Sequence, residues 1–398
     1  MALVFDQSNT IGLLTSKKDL FSLPHDIHYL NCAYMAPLSK RVVAAGRAAL
    51  ERLENPSRIQ ATDFFEESDA ARGLFAELIN APDPRHVAII PSVSYAMATV
   101  AKNTSFCRGQ NLVVVEEQFP SNIYSWRRLS SDAGIELRIV KAPLDTGSRG
   151  AQWNTSVLEA IDTETALVTL PQLHWTDGTR FDLEAIGQRA RDCGAAFIVD
   201  GTQSVGALPF DSQKIRPDVL VCAGYKWLTG PYSVGLAFFG PAYNDGIPLE
   251  ENWITRRGSE DFTNLVRYQD EYHVGAIRYD VGERSNFMLL PMLTAGLEQV
   301  LNWGPATIQD YTGKLTAEAI APLREVGCWV EEDGWRASHI LGVRMPSHIN
   351  IEHLSNALLE RHVSVSIRGS AIRVAPHLYN ESGDLAALVA VVQDIIRQ

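Results

Sequence analysis

Short apolar runs rich in branched residues alternate along the middle of the chain with stretches whose apolar residues recur three and four positions apart. The runs in "HVAII", "NLVVV", "ELRIV", "ALVTL", "FIVD" and "DVLVCAG" are continuous and bounded by turn residues, so they read as strands buried on both faces. "KRVVAAGRAALERLE", ended by "NPSR", and "TDFFEESDAARGLFAELINA" carry the helical spacing. The second of these opens on Thr62 with Glu66 four positions on, one off the spacing of a capping box. Strands alternating with helices from about residue 86 to 240 imply βαβ units and a mostly parallel sheet. "LEENWITRRGSEDFTNL" then reads as a polar loop.

Near residue 297 the pattern changes to helix, strand ("ILGVRMP"), helix ("NIEHLSNALLERH"), strand ("VSVSIRG"), strand ("AIRVAPHLYN") and helix ("DLAALVAVVQDIIRQ"), which predicts a smaller α+β domain. The division expected is an N-terminal segment over 1–27 that packs on the small domain, a large domain over 28–296 and a small domain over 297–398. A chain of 398 residues is long enough for two packed domains. Apolar content of 46% and charged content of 21% are ordinary for a globular protein. A net charge of −12 argues against nucleic acid or an anionic membrane as partner. The start reads as no signal peptide and no run is long enough for a membrane helix, so a cytoplasmic protein is expected. Cys32, Cys107, Cys193, Cys222 and Cys328 are scattered without C-x-x-C spacing, which fits reduced thiols and predicts neither disulfide nor metal site.

The chemistry gathers at strand ends. Asp200 closes "FIVD", Gln203 follows three residues later, and "DVLVCAGY" delivers Lys226 into "WLTGPYSVG". In open α/β sheets that edge is where ligands bind. A lysine there can lose its proton and act as a Schiff-base nucleophile, and a carboxylate facing a pyridine nitrogen makes the ring an electron sink, so the pair suits pyridoxal 5′-phosphate. Read singly, Asp200 is a helix cap and Lys226 a surface residue. Ser92, Val93 and Ser94 sit where a strand turns into a helix, and free N–H groups with two hydroxyls make a phosphate cradle there; serines that only cap the helix are the alternative.

Asp-x-x-Gln after one strand, then a lysine after a second strand and before a Gly-Pro loop, resembles the class V aminotransferase family. That family is a branch of the fold-type I pyridoxal-phosphate enzymes, related to cysteine desulfurases, kynureninases and isopenicillin N epimerase-like proteins. The resemblance implies an α/β fold of that type, with a mostly parallel seven-stranded sheet sandwiched by helices and a smaller α+β C-terminal domain. It implies Phe119 over the cofactor ring, and His174, Trp175 and Asp177 of "QLHWTDG" on its O3′ side. Gln203 and Tyr225 would contact the cofactor too, while Ala223 replaces a serine that often holds the phosphate in desulfurases. Arg284 and Ser285 of "GERSN" would cross a homodimer interface to the partner's cofactor phosphate. Asn31, Ala33 and Tyr34 would line the substrate mouth. Arg373 of "IRVAPHLYN" would bind the substrate carboxylate, with Arg368 a second candidate and His377 and Asn380 shaping the strand end.

Lys226 is then the base for the α-proton, Asp200 the stabiliser of the ring, and His174 a further acid/base candidate. "VSVSIRGSAIRV" lacks the cysteine nucleophile that a desulfurase needs, and Cys328 lies well upstream. An amino-acid aminotransferase comes first, with a C–S or C–C lyase or an epimerase as alternatives. A non-catalytic pyridoxal-phosphate module is the non-enzyme reading, and the absence of G-x-G-x-x-G counts against a dehydrogenase.

Overall fold

The computed structural model of the protein describes residues 15–144 and 147–398. Residues 1–14 of the expected N-terminal segment therefore lie outside the described residues. From Thr15 on, that segment meets the C-terminal part of the chain. Lys17 N donates to Leu378 O at 2.7 Å, and the Phe21 ring packs against Trp303 and Tyr379.

Two short strands come from opposite ends of the chain. β1 (His28–Tyr29) pairs in parallel with a strand over Val363–Ser364. Helices α1 (Lys40–Leu53) and α2 (Asp63–Leu78) follow β1. Ser39 caps α1 by accepting from Val42 N. The capping box expected at Thr62 does not form. Thr62 is already helical, so its hydroxyl makes no cap bond, and Asp63 accepts from Gln60 N instead.

The large sheet takes β2 (Val87–Ile90), β3 (Asn111–Val115), β4 (Glu136–Val140), β5 (Thr165–Pro171), β6 (Ala196–Asp200), β7 (Val219–Ala223) and β8 (Gly235–Phe239) in the order β2-β8-β7-β6-β5-β3-β4. All neighbours are parallel except those of β8, which runs antiparallel to both β2 and β7. The continuous apolar runs have a direct cause. Alternate residues of each strand feed two separate cores: Val113, Val168 and Val199 pack on one face, and Val114, Leu167 and Ile198 on the other. Helices cover both faces, among them α2 on the first and α3 (Val93–Lys102) on the second. The edge strand β4 carries Glu136 and Arg138, charges that blunt an open sheet edge.

The C-terminal part holds β9 (Trp329–Val330), β10 (Leu341–Arg344), β11 (Val363–Ser364), β12 (Ser366–Arg368) and β13 (Ala371–Val374). Four of them form an antiparallel sheet in the order β12-β13-β10-β9 over a core of its own. The segment "VSVSIRG", expected as one strand, divides at Val365. Its first half pairs with β1 and its second with β13.

Candidate active site

The C-terminal ends of parallel strands β3, β5, β6 and β7 share one sheet edge with the end of β2. Because β8 is antiparallel, its beginning lies there as well. Together they line a cavity of about 260 Å³. β2 supplies Pro91, Ser92 and Val93; β3 is followed by Gln118, Phe119 and Ser121; β5 leads to Leu173 and Trp175. β6 brings Asp200, Thr202 and Gln203, β7 brings Ala223, Tyr225 and Lys226, and the turn into β8 adds Tyr232, Ser233 and Val234.

Lys226 is only 5% exposed. Its Nζ lies 5.5 Å from the Phe119 ring centre and 5.6 Å from that of Tyr225. Burial first, then repulsion from Arg373, lowers the amine to about 7, against the pull of Asp200. Asp200 is buried at the end of β6, and burial raises its carboxyl although Thr202 N donates to it at 3.0 Å. Gln203 is held at both ends of its amide. Nε2 donates to Ala33 O at 3.1 Å, and Oε1 accepts from the indole N–H of Trp227 at 3.1 Å. Ser92 caps α3 by accepting from Tyr95 N, and its Oγ lies 2.9 Å from Ser94 Oγ. The first-turn N–H groups of α3 thus open at the cavity. Burial pushes the Tyr225 hydroxyl up to about 12, so it remains a hydrogen-bond donor.

Trp175 forms a wall. Its ring meets Phe119 edge-on at 5.4 Å, and its indole donates to Glu117 O at 2.6 Å. Its carbonyl accepts from Arg373 Nη1 at 2.6 Å, and the Arg368 guanidinium lies 5.0 Å from its ring centre. Arg373 is 1% exposed, with Nη2 donating to Ser366 Oγ at 3.3 Å and Nε buried without a partner. Burial, and then the Arg368 charge, lowers it to about 9.

Five expected site residues are engaged elsewhere. His174 is fully buried under Trp153, with one ring nitrogen against Thr176 Oγ1 and the other against Glu116 O, and burial lowers its pKa. A ring that is bonded at both nitrogens and closed off from the cavity has no acid/base role there. Asp177 is an internal hub that accepts from Arg344 at 2.8 Å and pairs with Arg149 at 3.0 Å. Arg284 does not reach outward to a partner's phosphate. It is buried in an ion pair with Asp280, which Arg72 also holds. Ser285 likewise donates inward, to Phe64 O at 2.7 Å. Asn31 is 7% exposed and accepts from Ser366 Oγ at 2.8 Å, so it steadies the partner of Arg373 and does not line the cavity. Tyr34 is exposed at 58%.

His377 and Asn380 serve the core. His377 stacks on Trp227 and Tyr379, and Asn380 Oδ1 accepts from His377 N. Cys328 packs against Met345 in the small-sheet core, and burial lifts its thiol to about 11. Gln118, Thr202 and Trp227 were not expected at the site. Gln118 Oε1 accepts from Phe119 N, its Nε2 is buried without a partner, and Thr202 Oγ1 accepts from Ala223 N.

A family model described as aminotransferase class-V matches residues 28–379. An uncharacterized aminotransferase of Bacillus subtilis is 26% identical over 327 residues, which cover 81% of this chain and 82% of that one. A probable cysteine desulfurase of Methanothermobacter thermautotrophicus is 25% identical over 344 residues, which cover 82% of each. Among solved structures, the apo cysteine desulfurase of Thermococcus onnurineus matches with a TM-score of 0.82 at 18% identity, over 96% of this chain and 99% of that one.

Proposed function

This chain belongs to the class V aminotransferase family and is a pyridoxal 5′-phosphate enzyme of transferase or lyase type; from that premise we propose that it is an aminotransferase acting on an α-amino acid. The cavity fits the cofactor on its own terms. A buried lysine without an ion pair, a buried carboxylate, a helix N-terminus with two serines and the partnerless amide nitrogen of Gln118 converge there. When bound, pyridoxal phosphate supplies an aldehyde for the amine and a ring that takes up the electron pair left at the α-carbon.

The residues divide the remaining work. Lys226 Nζ, whose amine is lowered to about 7 when free, would accept and return the α-proton. Asp200 would hold a proton at the ring nitrogen, and Gln203 would donate to the ring hydroxyl. Ser92, Val93, Ser94 and Tyr225 would hold the phosphate, with Phe119 over the ring face. Arg373 receives the substrate carboxylate.

The observation that carries this reading is the pairing of Lys226 and Arg373, both buried and neither matched by an ion pair, beside one carboxylate, Asp200. Cys328 and Cys32 offer no thiolate for sulfur transfer. Cys328 sits in the small-sheet core, and burial raises Cys32 to about 12. This favours transamination over cysteine desulfuration. The reading includes the 28–296 and 297–398 division and a cytoplasmic homodimer. Exposed Tyr34 and Tyr232, at 58% and 61%, support an interface near the cavity mouth, and among the described residues no helix is long and apolar enough to cross a membrane.

Borohydride reduction of the cofactor-loaded protein tests the core of the proposal. The cofactor mass is expected on the peptide carrying Lys226. Amino acids added without reduction are expected to give keto acid and the amine form of the cofactor. Ammonia or sulfide release would instead mark a lyase, and labelling away from Lys226 would refute the site.

A further inference from the structure

The hairpin of β12 and β13 puts two arginines on one face. Ser366 lies opposite Arg373 and Arg368 opposite Ala371, so Ser366, Arg368, Ala371 and Arg373 all project to the same side. The turn between the strands is tight, with Gly369 at φ +57°. Both guanidiniums then reach Trp175, Arg373 at its carbonyl and Arg368 over its ring.

Neither has an acid of its own among the described residues. Four arginines are buried there: Arg72, Arg149, Arg284 and Arg373. The first three pair with Asp280 or Asp177, and only Arg373 lacks an aspartate. Arg368 is half-buried, and its one hydrogen bond is Nη1 to Ile367 O at 2.7 Å. The Nε atoms of both are buried without partners. Like charges placed diagonally across a strand pair repel, so holding two unpaired guanidiniums here costs stability in the free protein. One α-carboxylate balances the charge of only one of them. Both guanidiniums also act on Lys226, where Asp200 is the carboxylate that opposes them.

We propose that Arg368 and Arg373 form a two-anion site, and that the substrate is an amino acid whose side chain ends in a second carboxylate. The α-carboxylate binds Arg373, and the distal carboxylate binds Arg368 beside the Trp175 ring. Aspartate and glutamate are the common amino acids of that description. This assignment rests on the aminotransferase reading for its chemistry, but the anion site itself does not.

The test uses isosteric pairs on cofactor-loaded protein whose Lys226 has been shown to trap. Aspartate is compared with asparagine, and glutamate with glutamine. A charge-assisted bond predicts that kcat/KM favours one acid over its amide by roughly ten- to a hundredfold. In R368Q that ratio falls toward one, whereas R373Q lowers kcat/KM for all four. Equal handling of acid and amide by the wild type, or a ratio that survives R368Q, overturns the proposal. Calorimetry with unreactive maleate and propionate reads the site without turnover. Maleate should bind the wild type at least about tenfold more tightly than propionate, and R368Q should lose that margin. Equal binding overturns the proposal even where catalysis is intact. Failure to trap Lys226 refutes the catalytic reading and leaves the maleate comparison to decide this one.

Discussion

Replacing Lys226 by methionine should stabilise the cofactor-free protein, and by an amount that depends on pH. The buried amine is lowered from 10.5 to about 7, while in the unfolded chain it regains its ordinary value. Between these values the unfolded chain binds the proton and the folded one does not, so stability rises with pH across that window. At 1.36 kcal/mol per pKa unit, the penalty of burying Lys226 is about 4 kcal/mol at pH 7 and about 1 kcal/mol at pH 10. Methionine has similar length and no charge to desolvate. Urea unfolding of both proteins at the two pH values should show the advantage of K226M shrinking by about 3 kcal/mol from pH 7 to pH 10. Other titrating groups are shared and largely cancel in the difference. An advantage that is constant with pH, or that grows toward pH 10, would show that Lys226 is not desolvated as described.

Asp280 binds Arg72, Arg284 and Ile89 N, so D280N strands two buried guanidiniums and should cost about 3–5 kcal/mol in urea unfolding. W227F removes the indole donor to Gln203 Oε1; a loss of about 1–3 kcal/mol in unfolding is expected, with weaker cofactor binding read by equilibrium dialysis. H174Q should leave the shape of the pH–kcat/KM profile unchanged, since both ring nitrogens are bonded within the protein; loss of a near-neutral limb in H174Q would restore His174 as an acid/base group.

The residues legible from sequence are those whose position follows from where strands stop. Asp200 and Lys226 had to lie at one sheet edge because each closes or follows a buried run, and the structure puts both on one cavity. His174 shows the limit of that logic. Residues 174–179 fold back on themselves, with His174 N donating to Thr179 O and Gly178 N to His174 O. Gly178 takes φ +74° to allow it. Neighbours in such a turn diverge, so Trp175 faces the cavity while His174 goes under Trp153. Arg284 fails for a different reason. Its local partner Asp280 is visible four residues back, but the second arginine on that carboxylate, Arg72, is 208 residues from it and no spacing announces it. The role of Trp227 was equally hidden, since an indole beside a lysine reads as core until its N–H is seen on Gln203.

The pairing of β1 with β11 sets a schedule for synthesis on the ribosome. His28 meets Val363, a separation of 335 residues (363 − 28). The stretch just after β1 reaches the active site, with Ala33 O accepting from Gln203 Nε2 and Ala36 N donating to Tyr225 O. At about 5–20 residues per second, the early stretch waits roughly 17 to 70 seconds for its partner to be made. The strands of the large sheet, ending at Phe239, are all synthesised well before then. A translation product that stops short of Val363 therefore carries Lys226 and Asp200 but neither Arg368 nor Arg373, nor the strand that anchors residues 28–36. Such a nascent chain holds Lys226 beside a sheet edge whose other wall has not yet been made.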